Sequence, residues 1–288
     1  MTLPHSWRFE AIGTGWQIDA PQPLGGVLEA AIHDRIAGFD RTYSRFRDDS
    51  LVARITTTPG RHVFPDDAAA LFDVYRALYE ATDGAMSPLV GAALDRLGYD
   101  RAYSLRSTGP AIPAPDWDAA VAWDGTALTT LRPVSVDVGA AGKGYLVDIV
   151  AAMLAASGVE EFIVDASGDI AHRGAEPIRV GLEHPLDTTK AIGVVSIGNG
   201  AICASASNRR VWGDGLHHVL DATTGLPTRG IIATWAMAET ALAADALATA
   251  LFFADPARLA ERFEFSYVRM HATGRVESSP HLDGELFT

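Results

Sequence analysis

The chain has 288 residues, 48% hydrophobic and 20% charged, the balance of a globular protein long enough to bury a sizeable core. Its formal net charge of −13 excludes a general nucleic-acid binder, which needs a basic footprint. The single cysteine, Cys203, excludes internal disulfides. The first residues, Met1-Thr-Leu-Pro-His-Ser-Trp-Arg-Phe9, lack a charged start followed by an apolar run. With no signal peptide or lipid-anchor cysteine seen, the expectation is a cytoplasmic protein without a membrane anchor.

Along the chain, residues 7–19 read as a strand or hairpin broken at Gly13-Thr-Gly15. Apolar residues at helical spacing predict a helix from Val27 to Phe39 and another from Asp67 to Thr82, the latter stopped by Asp83-Gly84. A short helix follows from Pro88 to Leu97, closed by Gly98. Residues 119–138 predict two or three short strands around Asp124-Gly125, the last ending at Asp137. A helix follows over 142–156. Further strands are expected at 160–165, 178–183, 193–207 and 231–238, then an apolar helix over 240–254 and a last strand at 265–271. Strands and helices without strict alternation predict an α+β fold. No linker stands out, so one domain over 1–288, with two lobes at most, is expected.

The stretch Ser135-Val-Asp-Val-Gly-Ala-Ala-Gly-Lys-Gly-Tyr-Leu-Val-Asp148 places a glycine-rich turn at a helix start. Free backbone N–H groups and the positive dipole end suit a phosphate there. Gly144 stands where a P-loop needs Ser or Thr, so the design is a different one, or the glycines serve only the turn. On the late apolar helix, Asp245 and Thr249 lie four apart and share a face. A buried carboxylate needs a partner. Either the pair binds a hard cation such as Mg²⁺, or Thr249, backbone groups or a distant arginine satisfy the acid. In Leu216-His-His-Val-Leu-Asp221 an extended backbone turns His217 and His218 to opposite faces, so at most one enters a given site, as a general base. The aromatics and arginines of Tyr43-Ser-Arg-Phe-Arg47 either stack on a planar ring or plug the end of the first helix. The acids around Ser167-Gly168 read as loop anchors. Arg209 and Arg210 read as solvated, with an anionic ligand as the alternative.

Taken in order, these segments resemble the ApbE-type FAD:protein FMN transferases. The matching stretches are Gly13-Thr-Gly-Trp16, Tyr43-Ser-Arg-Phe46 with Asp49-Ser50, Asp83-Gly-Ala-Met-Ser-Pro88, Asp137 through Gly142-Lys-Gly-Tyr145 with Asp148, Ser167-Gly-Asp169, Val180-Gly-Leu-Glu-His-Pro185, His218-Val-Leu-Asp221 with Thr224-Gly225, and Ala244-Asp-Ala-Leu-Ala-Thr249. The resemblance implies an α+β fold of mixed sheets with packed helices, related to the T-fold, and a cofactor cleft between lobes. It implies Mg²⁺ held by the side chains of Asp245 and Thr249 and the carbonyl of Ala140. FAD, as substrate, would meet Asp137 and Lys143, a pocket edge of Ala85, Met86 and Ser87, a stacking Phe46 and a lining Ile12. His218, the candidate base, and Val219 would sit near the reacting phosphate. The implied reaction moves FMN from FAD to a Thr or Ser hydroxyl of a target flavoprotein and releases AMP.

Three stretches depart from the family's usual pattern. Ala222 stands for the proline of Asp-Pro-x-Thr-Gly, Ser167 for the first glycine of Gly-Gly-Asp, and Ala204-Ser-Ala206 for Thr-Ser-Gly. Two other readings fit the same residues: an Mg²⁺-dependent FAD pyrophosphatase with water as acceptor, and an FAD-binding protein without turnover.

Overall fold

A computed structural model describes residues 3–287. Eight strands form its main sheet, in the spatial order His5–Ala11, Thr14–Ala20, Phe162–Asp165, Asp169–Arg173, Gly200–Ala206, Ile231–Ala238, Ser266–His271 and Val276–Ser278. Every adjacent pair is antiparallel. The period-2 alternation of the central strands sorts their side chains between two cores. Ala201, Cys203 and Ala236 face a helical layer, while Ile202, Ala233 and Trp235 face the other way. That second face is covered by a three-stranded sheet of Ile178–Glu183, Ala191–Ile197 and Gly284–Leu286, through Leu182, Ile192, Val195 and Ile197. The order of layers is therefore helices, large sheet, small sheet.

Two helices lie centrally on the large sheet. The glycine-loop helix spans Gly142–Ala156 and the alanine helix Ala241–Ala250. Small residues on both let the backbones approach. A Cβ on Gly144 would overlap the Ala241 carbonyl oxygen and stand 2.6 Å from the Asp245 Cβ. This close packing leaves no room for a side chain at position 144, where a P-loop would carry Ser or Thr. The alanine helix begins at Thr240, whose side chain accepts from Ala243 N at 3.2 Å, and Thr234 in the sheet donates to Ala248 O at 2.6 Å.

The long predicted elements are present, and the differences have local causes. The segment 135–138 forms no strand; it is tied to the 88–90 turn by Asp137 N to Pro88 O at 2.7 Å. Two short helices, Leu51–Thr57 and Pro256–Ala260, were not expected, because one or two turns carry little periodic signal. Each is started by a side-chain cap, Ser50 to Ala53 N at 3.0 Å and Asp255 to Ala257 N at 2.8 Å. His271 ends a strand but not the last one, since two more follow. No helix among the described residues is long and apolar enough to cross a membrane.

Candidate active site

A cavity of about 990 Å³ opens where the first hairpin, the two central helices, the 82–88 turn and the 205–220 segment converge. All twelve candidate residues line it: Ile12, Phe46, Ala85, Met86, Ser87, Asp137, Ala140, Lys143, His218, Val219, Asp245 and Thr249. The turn that presents Ile12 is tight, with φ of 47° at Ile12 and 78° at Gly13. Ser87 caps the next turn by accepting from Leu89 N at 3.2 Å.

Asp245 is only 6% exposed. Its Oδ2 accepts from Gly144 N at 2.9 Å, so it serves one of the orphan amides at the start of the glycine-loop helix. Its neighbour on the underlying sheet is Asp169, wholly buried, with neither carboxylate oxygen in backbone or side-chain hydrogen-bond geometry. Lys143 Nζ lies 3.0 Å from Asp169 Oδ2 and donates to Ala166 O at 2.8 Å. Burial first, and then Asp169, raises the proton affinity of Asp245. Burial also raises that of Asp169, against the pull of Lys143. Burial alone would favour a neutral Lys143, but Asp169 and Asp245 more than offset it. Were both buried acids ionised, the single ammonium would leave one negative charge uncompensated, which is why a proton on Asp245 is favoured.

A divalent cation fits this surplus. The donors at hand are all oxygens: the Asp245 carboxylate, the Thr249 hydroxyl and the Ala140 carbonyl. Among the described residues no group of three or more His, Cys, Asp or Glu is placed to hold a metal. A small protein set of hard donors suits Mg²⁺, which keeps waters and borrows substrate oxygens, and does not suit zinc. Among the described residues Asp245 has no arginine partner.

Two candidate FAD contacts also have protein partners. Lys143, expected against FAD, turns its ammonium to Asp169 and Ala166. Asp137 accepts from Arg45 Nε and, at 2.6 Å, from Gly139 N. Arg45 is 9% exposed and also donates to Asp95 Oδ1 at 2.7 Å and to Tyr99 O at 2.6 Å. It thus pins the segment before the glycine loop to the rest of the cavity wall. Phe46 faces Tyr103 in a stack at 5.0 Å and has the Arg45 guanidinium 4.3 Å from its ring centre. A partner 92 residues away leaves no trace in local sequence pattern, so Arg45 was not expected there.

The two histidines divide as the extended backbone requires. His217 is buried and structural: its Nε2 pairs with Thr228 O at 2.9 Å and its Nδ1 accepts from Val219 N at 3.3 Å. His218 faces the cavity, 6.4 Å from the Tyr99 ring, with Nδ1 buried and unpaired. Burial, and then the Arg210 guanidinium, push it down to about 3. The imidazole is therefore neutral at physiological pH. Arg210 lines the cavity 5.5 Å from the Tyr99 ring centre, while Arg209 is paired with Glu183 at 2.9 Å.

The family departures have local structural readings. Ser167 takes the left-handed conformation, φ 55°, where glycine is easiest, and its hydroxyl donates to Gly15 O at 2.9 Å. Ala222 donates its N–H to Ala85 O at 2.9 Å, a bond proline lacks, and so ties the 221–225 turn to the 82–88 turn. Nothing in the structure explains Ala206 in place of glycine. Of the acids near Ser167, Asp165 does anchor its loop, accepting from Gly168 N at 2.9 Å, whereas Asp169 points into the charged cluster.

The sequence model of the ApbE family matches residues 12–270. The chain belongs to the ApbE family. Among curated relatives, the FAD:protein FMN transferase of Klebsiella pneumoniae is 26% identical over 285 residues, covering 88% of this chain and 77% of the relative. That of Escherichia coli K12 is 27% identical over 280 residues, covering 88% and 79%. Solved ApbE structures share the fold. The ApbE protein of Thermotoga maritima superposes with a TM-score of 0.82 at 24% identity, covering 96% of this chain and 97% of that one. The flavin transferase ApbE of Vibrio cholerae gives 0.79 at 20% identity, covering 96% of each. The α+β expectation and the family resemblance thus both hold.

Proposed function

We propose that this ApbE-family chain is an FAD:protein FMN transferase, moving FMN from FAD to a Thr or Ser hydroxyl of a target flavoprotein and releasing AMP. The observation that carries the reading is Asp245. It is a buried acid on the cavity wall, joined to the start of the glycine-loop helix and, among the described residues, free of any arginine. The curated names of the relatives support the same chemistry.

Phosphoryl transfer needs charge neutralisation and in-line positioning more than covalent help. Mg²⁺, held when bound by Asp245, Thr249 and the Ala140 carbonyl, would supply Lewis-acid neutralisation of the diphosphate. His218, neutral at the cavity wall, takes the acceptor hydroxyl's proton. The acceptor oxygen forms a bond to the phosphorus on the FMN side, and the bond from that phosphorus to the bridging oxygen breaks. AMP leaves with the bridging oxygen. With its proton affinity held well below the usual histidine value by burial and Arg210, His218 is by itself a weak base, but an anionic diphosphate beside it raises its proton affinity.

The test is incubation with FAD, Mg²⁺ and candidate flavoproteins, followed by intact-protein mass measurement. An FMN adduct on a Thr or Ser that vanishes with Asp245→Ala is the expected result. FMN and AMP formed from FAD without any protein acceptor would make water the acceptor instead. FAD retention with no AMP under any condition would refute turnover.

A further inference from the structure

The cluster around Asp245 contains one acid that the proposed chemistry does not use. Asp169 is completely buried, and both of its oxygens lack hydrogen-bond geometry. Burying such a group is costly, and a well-packed apolar residue would serve packing better. The fold nonetheless fixes it firmly. Asp169 begins a central strand, opposite Cys203 in the register, and its carbonyl accepts from Ala166 N at 2.9 Å across the tight Ser167-Gly168 turn.

Asp169 touches the Lys143 ammonium, 3.0 Å away, and also lies against the Asp245 carboxyl and the Cys203 thiol. Lys143 and Gly144 are adjacent at the start of the glycine-loop helix, and Gly144 N is already bonded to Asp245. The lysine therefore stands beside two carboxylates and has a choice of partner. An ammonium closing on Asp245 would form a buried ion pair and occupy the carboxylate with its own charge. The second anchor, donation from Lys143 to Ala166 O at 2.8 Å, draws it toward Asp169.

We propose that Asp169 is a positioning residue that holds the Lys143 ammonium away from Asp245, so that Asp245 stays open to a divalent cation. The inference rests on the cation reading of the site given above. It assigns Asp169 no contact with substrate; the residue acts through the lysine.

The test is saturable Mn²⁺ binding to the whole chain, with no flavin present, followed by electron paramagnetic resonance of the free ion. Asp169→Asn is expected to weaken binding by about tenfold or more, the range found when the partner behind a metal ligand is removed. Adding Lys143→Met to Asp169→Asn is expected to restore binding, because the competing ammonium is gone. Rescue by removing a second residue is an outcome that a merely structural role for Asp169 does not give. Lys143→Met alone is expected to bind Mn²⁺ at least as tightly as the unaltered chain, which keeps the idea testable should Asp169→Asn fail to fold. Equal binding by Asp169→Asn and the unaltered chain would overturn the inference while leaving the cation site intact. Lost binding that Lys143→Met does not restore, or weaker binding by Lys143→Met alone, would overturn it as well. Absence of saturable binding by the unaltered chain would remove the cation reading itself.

Discussion

Asp148 and Asp245 cap each other's helices. Asp148, on the glycine-loop helix, accepts from Ala241 N at 2.8 Å and Leu242 N at 2.7 Å at the start of the alanine helix. Asp245, on the alanine helix, accepts from Gly144 N at 2.9 Å at the start of the glycine-loop helix. Each acid meets orphan amides and the positive end of the other helix's dipole. The reciprocal bonds fix where Asp245 and Thr249 stand relative to the turn that carries Ala140, so helix packing places the two proposed side-chain donors beside that turn.

Removing the first cap tests that coupling. Asp148→Ala leaves two amides of the alanine helix without an acceptor and is expected to cost about 2 kcal/mol. Urea unfolding measures the stability, and Mn²⁺ titration should show weaker binding in the same variant. A destabilised protein with unchanged Mn²⁺ affinity would separate the cap from the site.

Close approach of the two helices gives a second expectation. Gly144→Ala forces a Cβ against the Ala241 carbonyl and the Asp245 Cβ. Overpacking of this kind costs about 1–3 kcal/mol. The variant is expected to lose stability and bind FAD more weakly, as read by thermal melting and flavin fluorescence. A variant as stable as the unaltered chain would mean that the helices can separate freely.

Arg45 is expected to be the most costly charge to remove. Arg45→Met strands Asp137 beside the cavity and should destabilise the chain by about 3 kcal/mol or more. Asp137→Asn added to Arg45→Met should recover part of that loss, since the stranded charge goes with it. Denaturant unfolding of the two single variants and the double variant reads the coupling directly. Simple additivity would show that the two side chains do not depend on each other.

His218 gives the pH dependence. Its folded-state proton affinity lies well below the usual histidine value, because burial and Arg210 oppose the imidazolium. The unfolded chain takes up the proton near pH 6.5 and the folded chain does so only near about 3. Stability contributed by the neutral ring is thus fully present above pH 6.5 and lost as pH falls below it. His218→Gln should flatten this loss by about 1–2 kcal/mol between pH 6.5 and 5, measured by urea unfolding at each pH. Parallel profiles for the two proteins would contradict the assignment.

The glycine-loop helix was legible to the residue, because its glycine turn and apolar period state it twice. The alanine helix and the strand before it were legible from unbroken small or β-branched runs. The cavity residues were legible only as an ordered set of weak motifs, and all of them do line one cavity. Partnerships across the fold were not legible. Nothing near Lys143 in sequence points to Asp169, and nothing near Asp137 points to Arg45; both depend on strand order and helix crossing. Gly144 shows the same limit from the other side: its departure from a P-loop was visible, and its cause, the Ala241 backbone, was not.

The most direct test of the account is a crystal structure with FAD and Mn²⁺, read by anomalous scattering. A peak is expected between the Asp245 carboxylate, the Thr249 hydroxyl and the Ala140 carbonyl, against the FAD diphosphate. FAD seated in the cavity with Asp245 closed on Lys143, and no metal peak beside it, would contradict it.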